Sequence, residues 1–122
     1  MKQLKEKPLN NLETANKIIE ALVDKKGEKI ALLDIHEFAS FADYFIICSG
    51  TSNRMLSALA DMAAETAKKN GARYARVEGK PDFGWIIVDC GDVIVHLFTP
   101  EKREYYSLEK LWEKAHTVVR MQ

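Results

Sequence analysis

Two apolar runs separated by the dipeptide Gly91-Asp92 constrain the fold of this chain more than any other feature of its sequence. The runs extend from Trp85 to Cys90 and from Val93 to Phe98, and each has the length of an ordinary strand. Gly and Asp are typical of tight hairpin corners, because they adopt turn conformations at low cost. We therefore predict two strands joined by a tight turn.

Both faces of the first of these strands are apolar. Side chains alternate between the two faces of a sheet, so Trp85 and Ile87 share one face while Ile86, Val88 and Cys90 share the other. One face must pack on helices, and the other is either covered as well or left open as an apolar patch that binds a partner. The pattern leaves both interpretations open. The large aromatic side chain favours partner binding, since aromatics dominate binding hot spots.

The rest of the chain completes an α/β domain with a mixed five-stranded sheet and flanking helices. Helices are predicted where apolar residues recur every three or four positions, and strands where β-forming residues cluster. The further predicted elements are a helix from Leu12 to Val23, strands from Ile30 to Ile35 and from Tyr44 to Cys48, a long helix that begins at Ser52 or Asn53 and ends near Asn70-Gly71, a strand from Tyr74 to Val77, and a last short helix through Tyr106, Leu108, Leu111 and Trp112. We predict a single domain over residues 1–122, with an ordered core of about residues 10–115 and a tail that need not be ordered.

Composition limits the classes of partner. Of the 122 residues 47% are hydrophobic, which is enough for a real core in one domain. Lys plus Arg and Asp plus Glu both number 18, so the summed charge gives no strong attraction to nucleic acid. No stretch approaches the roughly 18 apolar residues that cross a bilayer, and the N-terminus does not resemble an export signal. These features predict a cytoplasmic protein that binds no membrane and does not read a nucleic acid sequence directly.

The residues that could carry catalysis or hold a metal give little support for either. Cys48 and Cys90 lie in apolar stretches without a basic neighbour that would lower a thiol pKa, which favours a role in the core of a reduced protein. His96 alternates with apolar neighbours in a strand, and the three histidines are too far apart in sequence to suggest a zinc site. We expect no cofactor and no metal.

Two patterns leave a chemical alternative open. Asp89 and Asp92 could hold Mg²⁺ in a nucleotidyl or phosphoryl transferase, although a turn residue and a polar strand end explain them better. Gly50-Thr51-Ser52 could cradle a phosphate at the start of the following helix. It lacks the spacing and the lysine of a P-loop, which favours a plain helix cap.

The chain resembles the ribosomal silencing factor, or Iojap, family in four separate motifs that occur in the family's order. The match covers roughly Leu12 to Trp112, and the motifs are Ala42–Ser52, Val77–Gly79, Gly84–Asp89 with Gly91–His96, and Arg103–Tyr106 with Leu108–Trp112. The resemblance implies an α/β domain related to the nucleotidyltransferase fold but without a catalytic site.

The resemblance also implies a partner and a mode of action. The partner is ribosomal protein fourteen of the large ribosomal subunit, at the face where the small subunit would dock, and translation is repressed when nutrients are short. Blocking that face requires only occupancy, so we expect a non-enzyme. Trp85 is the predicted anchor, with Ile87, Phe83, Phe98 and Pro81 around it. A homodimer of the free protein is the alternative use of such a surface, because exposed strand edges and apolar patches also self-associate.

Overall fold

The structure is a computed structural model that describes residues 11–121. These residues form one open six-stranded sheet with flanking helices. In chain order the elements are α1 (Asn11–Asp24), β1 (Glu28–Asp34), β2 (Tyr44–Ser49), α2 (Asn53–Lys69), β3 (Arg76–Glu78), a 3-10 turn (Pro81–Phe83), β4 (Trp85–Asp89), β5 (Val93–Phe98), α3 (Pro100–Tyr106), α4 (Leu108–Leu111) and β6 (His116–Arg120). The α/β fold class is therefore confirmed.

The predicted hairpin lies near one side of the sheet, whose strand order is β3-β4-β5-β2-β1-β6. Strands β4 and β5 are antiparallel, and the amide of Cys90 donates to the carbonyl oxygen of Val93 at 3.0 Å across the turn. Gly91 has φ +90°, a conformation that glycine adopts without strain. Strands β2 and β5 are parallel, so their carboxyl ends, Ser49 and Phe98, meet at one edge of the sheet.

One face of the sheet is buried beneath α1 and α2. The apolar stripe of α2 includes Leu56, Leu59 and Ala63, which pack with the alternate strand residues Ile86 and Val88 in the larger core cluster. Ser52 begins α2 as its N-cap, since its hydroxyl accepts a hydrogen bond from the amide of Met55 at 3.1 Å. The helix cap predicted from the Gly50-Thr51-Ser52 pattern is therefore present in the structure.

The opposite face of the sheet has a smaller core and an incomplete cover. Phe45, Ile47 and Phe98 are buried there, and Tyr106 and Trp112 from the C-terminal segment pack against them. Trp85 also packs against this cluster while remaining partly exposed. The two faces predicted for the hairpin thus correspond to two different environments, one closed and one partly open.

The sequence predicted five strands, and the structure adds a sixth. Strand β6 (His116–Arg120) pairs antiparallel with β1, and it lies where the sequence predicts a tail that need not be ordered. Its Thr-Val-Val run has high β-propensity, but pairing with β1 is a contact across most of the chain, which local sequence does not predict. The last predicted helix is two helices, because Ser107 between them has φ +47°. No helix within residues 11–121 is long and apolar enough to cross a membrane.

Candidate functional site

Four of the five predicted partner-binding residues lie in the first half of β4 and in the turn before it, and the fifth, Phe98, is the last residue of β5. Phe83 is 50% exposed, and Pro81, Trp85 and Ile87 are each partly exposed. We call these four residues the docking surface. Phe98 does not belong to it, because its side chain is 0% exposed. The structure therefore does not place Phe98 on the exposed surface with the other predicted residues, because the Trp85 ring stacks on it and covers it.

Trp85 rests on a buried aromatic base. Its ring stacks on Phe98 with the centroids 4.9 Å apart, and the ring of Tyr106 lies 4.8 Å away. Its Nε1–H donates to Nδ1 of His96 at 3.3 Å. These contacts hold the indole in one orientation and leave part of its surface exposed. Such a rigid, partly exposed aromatic is the kind of side chain that anchors protein interfaces.

The backbone before β4 presents Phe83 outward. Pro81 is favourable at the first position of the 3-10 turn, because its ring fixes φ near the required value. Gly84 ends the turn with φ +87°, and its amide donates to the carbonyl oxygen of Pro81 at 3.0 Å. The carbonyl oxygen of Gly84 accepts the amide of Thr99 at 3.0 Å, which ties the turn to the end of β5. The docking surface is therefore mounted on hydrogen-bonded backbone.

Sequence reasoning missed the side chains that extend this surface from α3. Tyr105 is 75% exposed, and its ring meets the Tyr106 ring edge-on with centroids 4.9 Å apart. The Lys102 ammonium lies 5.0 Å from the centroid of the Phe83 ring and 5.7 Å from that of Tyr105, within cation–π range. The signal was present, since the tyrosine pair is part of one motif that carried the family resemblance. The sequence predicts Tyr106 as an apolar residue of the last helix, and it assigns Tyr105 no role beyond that motif.

His96 is a buried histidine beneath the docking surface. The indole N–H of Trp85 can only donate, so Nδ1 of His96 accepts and Nε2 carries the proton. This Nε2 is buried and has no hydrogen-bond partner among the described residues. Burial lowers the pKa of His96 from 6.5 to about 4, because the charged form is poorly solvated there. At neutral pH the ring is therefore uncharged.

Asp89 and Asp92, the pair that could have served a transferase, have structural partners. Oδ1 of Asp89 accepts the amide of Gly91 at 2.9 Å, and Oδ2 lies 3.5 Å from the Arg76 guanidinium. The carbonyl oxygen of Asp92 accepts the amides of Asp43 and Tyr44, so this residue joins the hairpin turn to β2. Within residues 11–121 there is no group of three or more His, Cys, Asp or Glu side chains that could hold a metal ion.

Both cysteines are buried, as their apolar surroundings predicted. Burial raises the pKa of Cys48 to about 12 and that of Cys90 to about 11, because a thiolate is poorly solvated in the core. Neither thiol is therefore activated as a nucleophile.

Comparison with known proteins agrees with the resemblance. Residues 8–122 match the family model described as "Ribosomal silencing factor during starvation". The chain is 37% identical to the ribosomal silencing factor of Halalkalibacterium halodurans over 110 aligned residues. The alignment covers 90% of this chain and 94% of that protein. A crystal structure of a Chromobacterium violaceum protein superposes with a TM-score of 0.79 at 37% identity, covering 88% of this chain and 92% of the other.

A eukaryotic relative carries a different name. The mouse protein called "Mitochondrial assembly of ribosomal large subunit protein 1" is 36% identical over 98 residues, which are 78% of this chain and 43% of the mouse protein. This chain is therefore similar to less than half of the mouse protein.

Proposed function

The chain belongs to the ribosomal silencing factor family, and from this premise we propose that it docks on ribosomal protein fourteen of the large subunit and blocks the small subunit. The family is one of ribosome-directed regulators of translation. The specific partner protein and the steric mechanism are the steps we add.

The observation that carries the proposal is the exposed aromatic docking surface. Phe83 exposes half of its side chain beside the partly exposed Trp85, and Tyr105 extends the surface. A contiguous exposed patch of large aromatic rings typically marks a partner site, and aromatic residues are enriched at protein interfaces. The neutral total charge also favours a protein partner over the phosphates of ribosomal RNA.

Occupancy of the large subunit's joining face is sufficient for the proposed activity. A bound domain of 122 residues excludes the small subunit by volume, so no chemical step is required. Inhibition of subunit joining should then be stoichiometric and independent of nucleotide. The name of the mouse relative connects that protein to the large subunit, which supports the same choice of subunit here.

Sedimentation with separated ribosomal subunits tests the proposal. We expect the protein to co-sediment with large subunits and not with small ones, and an excess of it to lower the fraction of subunits that reassociate. Equal binding to both subunits would contradict the proposed partner. Inhibition by trace amounts would contradict the stoichiometric mechanism.

Phe83→Glu tests the docking surface itself. The side chain is half exposed, so the substitution should change the free energy of unfolding by only about 0.5 kcal/mol. An aromatic residue in the centre of an interface carries roughly 2 kcal/mol or more, so affinity for the large subunit should fall about thirtyfold or further.

Phe38→Glu is the matched control, because Phe38 is 51% exposed. Phe38 follows the end of β1, where Asp34 pairs with Tyr44 at the start of β2. Trp85 pairs with Phe98 at the opposite end of the sheet, so the two phenylalanines lie near opposite ends. Phe38→Glu should therefore bind as the unsubstituted protein does. If Phe83→Glu is folded and binds normally, or if both variants lose binding equally, the docking surface is misplaced.

A further inference from the structure

A polar cleft of about 610 Å³ opens at a second place on the molecule, where the parallel strands β2 and β5 end. Ser49, the last residue of β2, and Pro100, which follows β5, both line it, together with residues of α3 and α4 and the end of β6. In open α/β sheets, ligands bind in crevices outside the carboxyl ends of the parallel strands. The volume falls within the range of small-molecule sites in proteins.

The charge lining the cleft is unbalanced. Four cationic side chains border it, and they are Lys29, Arg103, Lys110 and Arg120. Two carboxylates, Glu104 and Glu109, oppose them, which leaves a surplus of two positive charges. The whole chain has a net charge of zero, so this surplus is a local feature and not a consequence of a basic protein. A cleft whose lining is positive on balance attracts anions.

Arg103 forms a fixed floor for the cleft. Its side chain is only 12% exposed, and its Nε and Nη2 donate to the two carboxylate oxygens of Glu109 at 3.0 and 2.8 Å. Its Nη1 donates to the carbonyl oxygen of Lys29 at 2.6 Å and to Oγ of Ser49 at 2.9 Å. Because Oγ of Ser49 accepts this bond, the hydroxyl hydrogen of that buried residue remains able to donate to a ligand.

The remaining cations are not consumed by the internal ion pair. Arg120 reaches Glu109 only through Nη1 at 3.5 Å, and its side chain is 57% exposed. Lys29 and Lys110 are exposed and line the cleft without a described salt bridge of their own. Glu109 neutralises about one of the two arginines, so the ammonium groups and most of the Arg120 guanidinium can bind an additional anion.

The backbone of the cleft is strained. Three non-glycine residues in the described part of the chain have positive φ, and two of them, Lys29 at +50° and Ser107 at +47°, line the cleft. Such conformations disfavour ordinary side chains and concentrate at binding sites. Lys29 also lies at an irregularity in the pairing of β1 with β2, and its carbonyl oxygen accepts the hydrogen bond from Arg103.

We propose that this cleft binds the phosphate group of a small phosphorylated molecule. A phosphate carries nearly two negative charges at neutral pH and offers several acceptor oxygens, which match the surplus charge and the Lys, Arg and Ser donors. An RNA backbone offers the same group, but the net charge of zero gives no general attraction to RNA, and the cleft is confined to one corner of the fold. The small molecule is therefore the source to which the proposal commits.

Titration of the full chain with pyrophosphate at constant ionic strength, followed through backbone amide resonances, tests the proposal. We expect saturable shifts of residues around Lys29, Ser49 and Ser107, with Phe83 unaffected. The double variant Lys110→Gln with Arg120→Gln should bind pyrophosphate about tenfold or more weakly, because charge-assisted hydrogen bonds are lost. Both side chains are exposed, so the melting temperature should stay close to that of the unsubstituted protein.

Lys68→Gln with Lys69→Gln is the matched control, since it removes the same charge from the exposed end of α2. It should bind pyrophosphate normally, and the charge reversal Lys110→Glu should weaken binding on its own. The proposal is overturned if pyrophosphate produces no saturable shifts at the cleft, or if the control pair loses as much affinity as the cleft pair. It is also overturned if a mixed-sequence RNA oligonucleotide shifts the cleft resonances while pyrophosphate does not.

Discussion

Acid should destabilise the fold through His96. The ring is 6% exposed and lies among Phe45, Trp85 and Phe98, and burial lowers its pKa from 6.5 to about 4. Between these two pH values the unfolded chain binds a proton that the folded protein excludes. The free energy of unfolding therefore decreases as the pH falls through this window, and it recovers as the pH rises.

The magnitude follows from the two pKa values. Each pH unit inside the window corresponds to about 1.4 kcal/mol, so lowering the pH from 7.5 to 5 should cost about 2 kcal/mol of stability. The pKa of Glu109 is also lowered, chiefly by its hydrogen bond with Arg103. Its stabilising contribution is lost only as the pH falls through the carboxyl range, mostly below this interval. Urea unfolding followed by tryptophan fluorescence at pH 7.5 and 5 measures the difference.

His96→Phe should remove most of this pH dependence while keeping an aromatic ring in the cluster. His36→Gln is the matched control, since His36 is exposed and its pKa is raised, first by the hydrogen bond with Asp34. A raised pKa contributes stability that is present at low pH and lost as the pH rises, which is the opposite sign. His36→Gln should therefore keep the acid loss or steepen it. Equal stability of the unsubstituted protein at the two pH values, or an unchanged slope in His96→Phe, would refute the argument.

Three further predictions concern the core and the turns. Cys48 and Cys90 should resist a thiol reagent at neutral pH until denaturant is added, because their pKa values are raised to about 12 and about 11. Rapid labelling of the native protein would contradict this. Gly79→Ala should lower the melting temperature clearly more than Gly91→Ala, although both glycines have positive φ. A Cβ at position 79 would lie 2.6 Å from the carbonyl oxygen of Trp85, whereas a Cβ at position 91 would have its nearest neighbour, the Tyr74 hydroxyl, 3.7 Å away. Ser52→Ala should lose about 1 kcal/mol in urea unfolding through its missing N-cap bond, and no loss would mean that water replaces the cap.

The strands could be predicted because their signals are local. Five predicted strands lie within two residues of their observed bounds, and the corner at Gly91-Asp92 joins β4 and β5 as expected. Alternation also separated Ile86 and Val88 from Trp85, and the structure shows that the face of Ile86 and Val88 is the one that packs with the helices. Strand β6 was missed because its stability depends on pairing with β1, about ninety residues earlier in the chain.

The candidate site could be predicted only in part. Alternation shows which face a side chain occupies, but the cover over that face comes from another segment. Phe98 and Trp85 share a face, yet Phe98 is buried and Trp85 is partly exposed, because the indole stacks on the phenyl ring. The packing of Tyr106 against Trp85 and the hydrogen bond with His96 depend on the tertiary fold. No periodicity in the sequence contains this information.

Trp85 is partly buried and partly exposed, so its inner surface belongs to the core and only its outer surface is available for the proposed partner contact. The inner surface of the indole stacks on Phe98, and its N–H donates a hydrogen bond to His96. Trp85→Glu would therefore remove core contacts and place a carboxylate beside the buried Phe98 ring. Such a variant should both unfold more easily and lose its partner, and the two losses could not be separated. Phe83 supplies the separation, because half of its side chain is exposed and its ring contacts are with Tyr106 and Lys102 near the surface. A loss of large-subunit binding by folded Phe83→Glu would locate the interface beside Trp85 without disturbing the aromatic base beneath it.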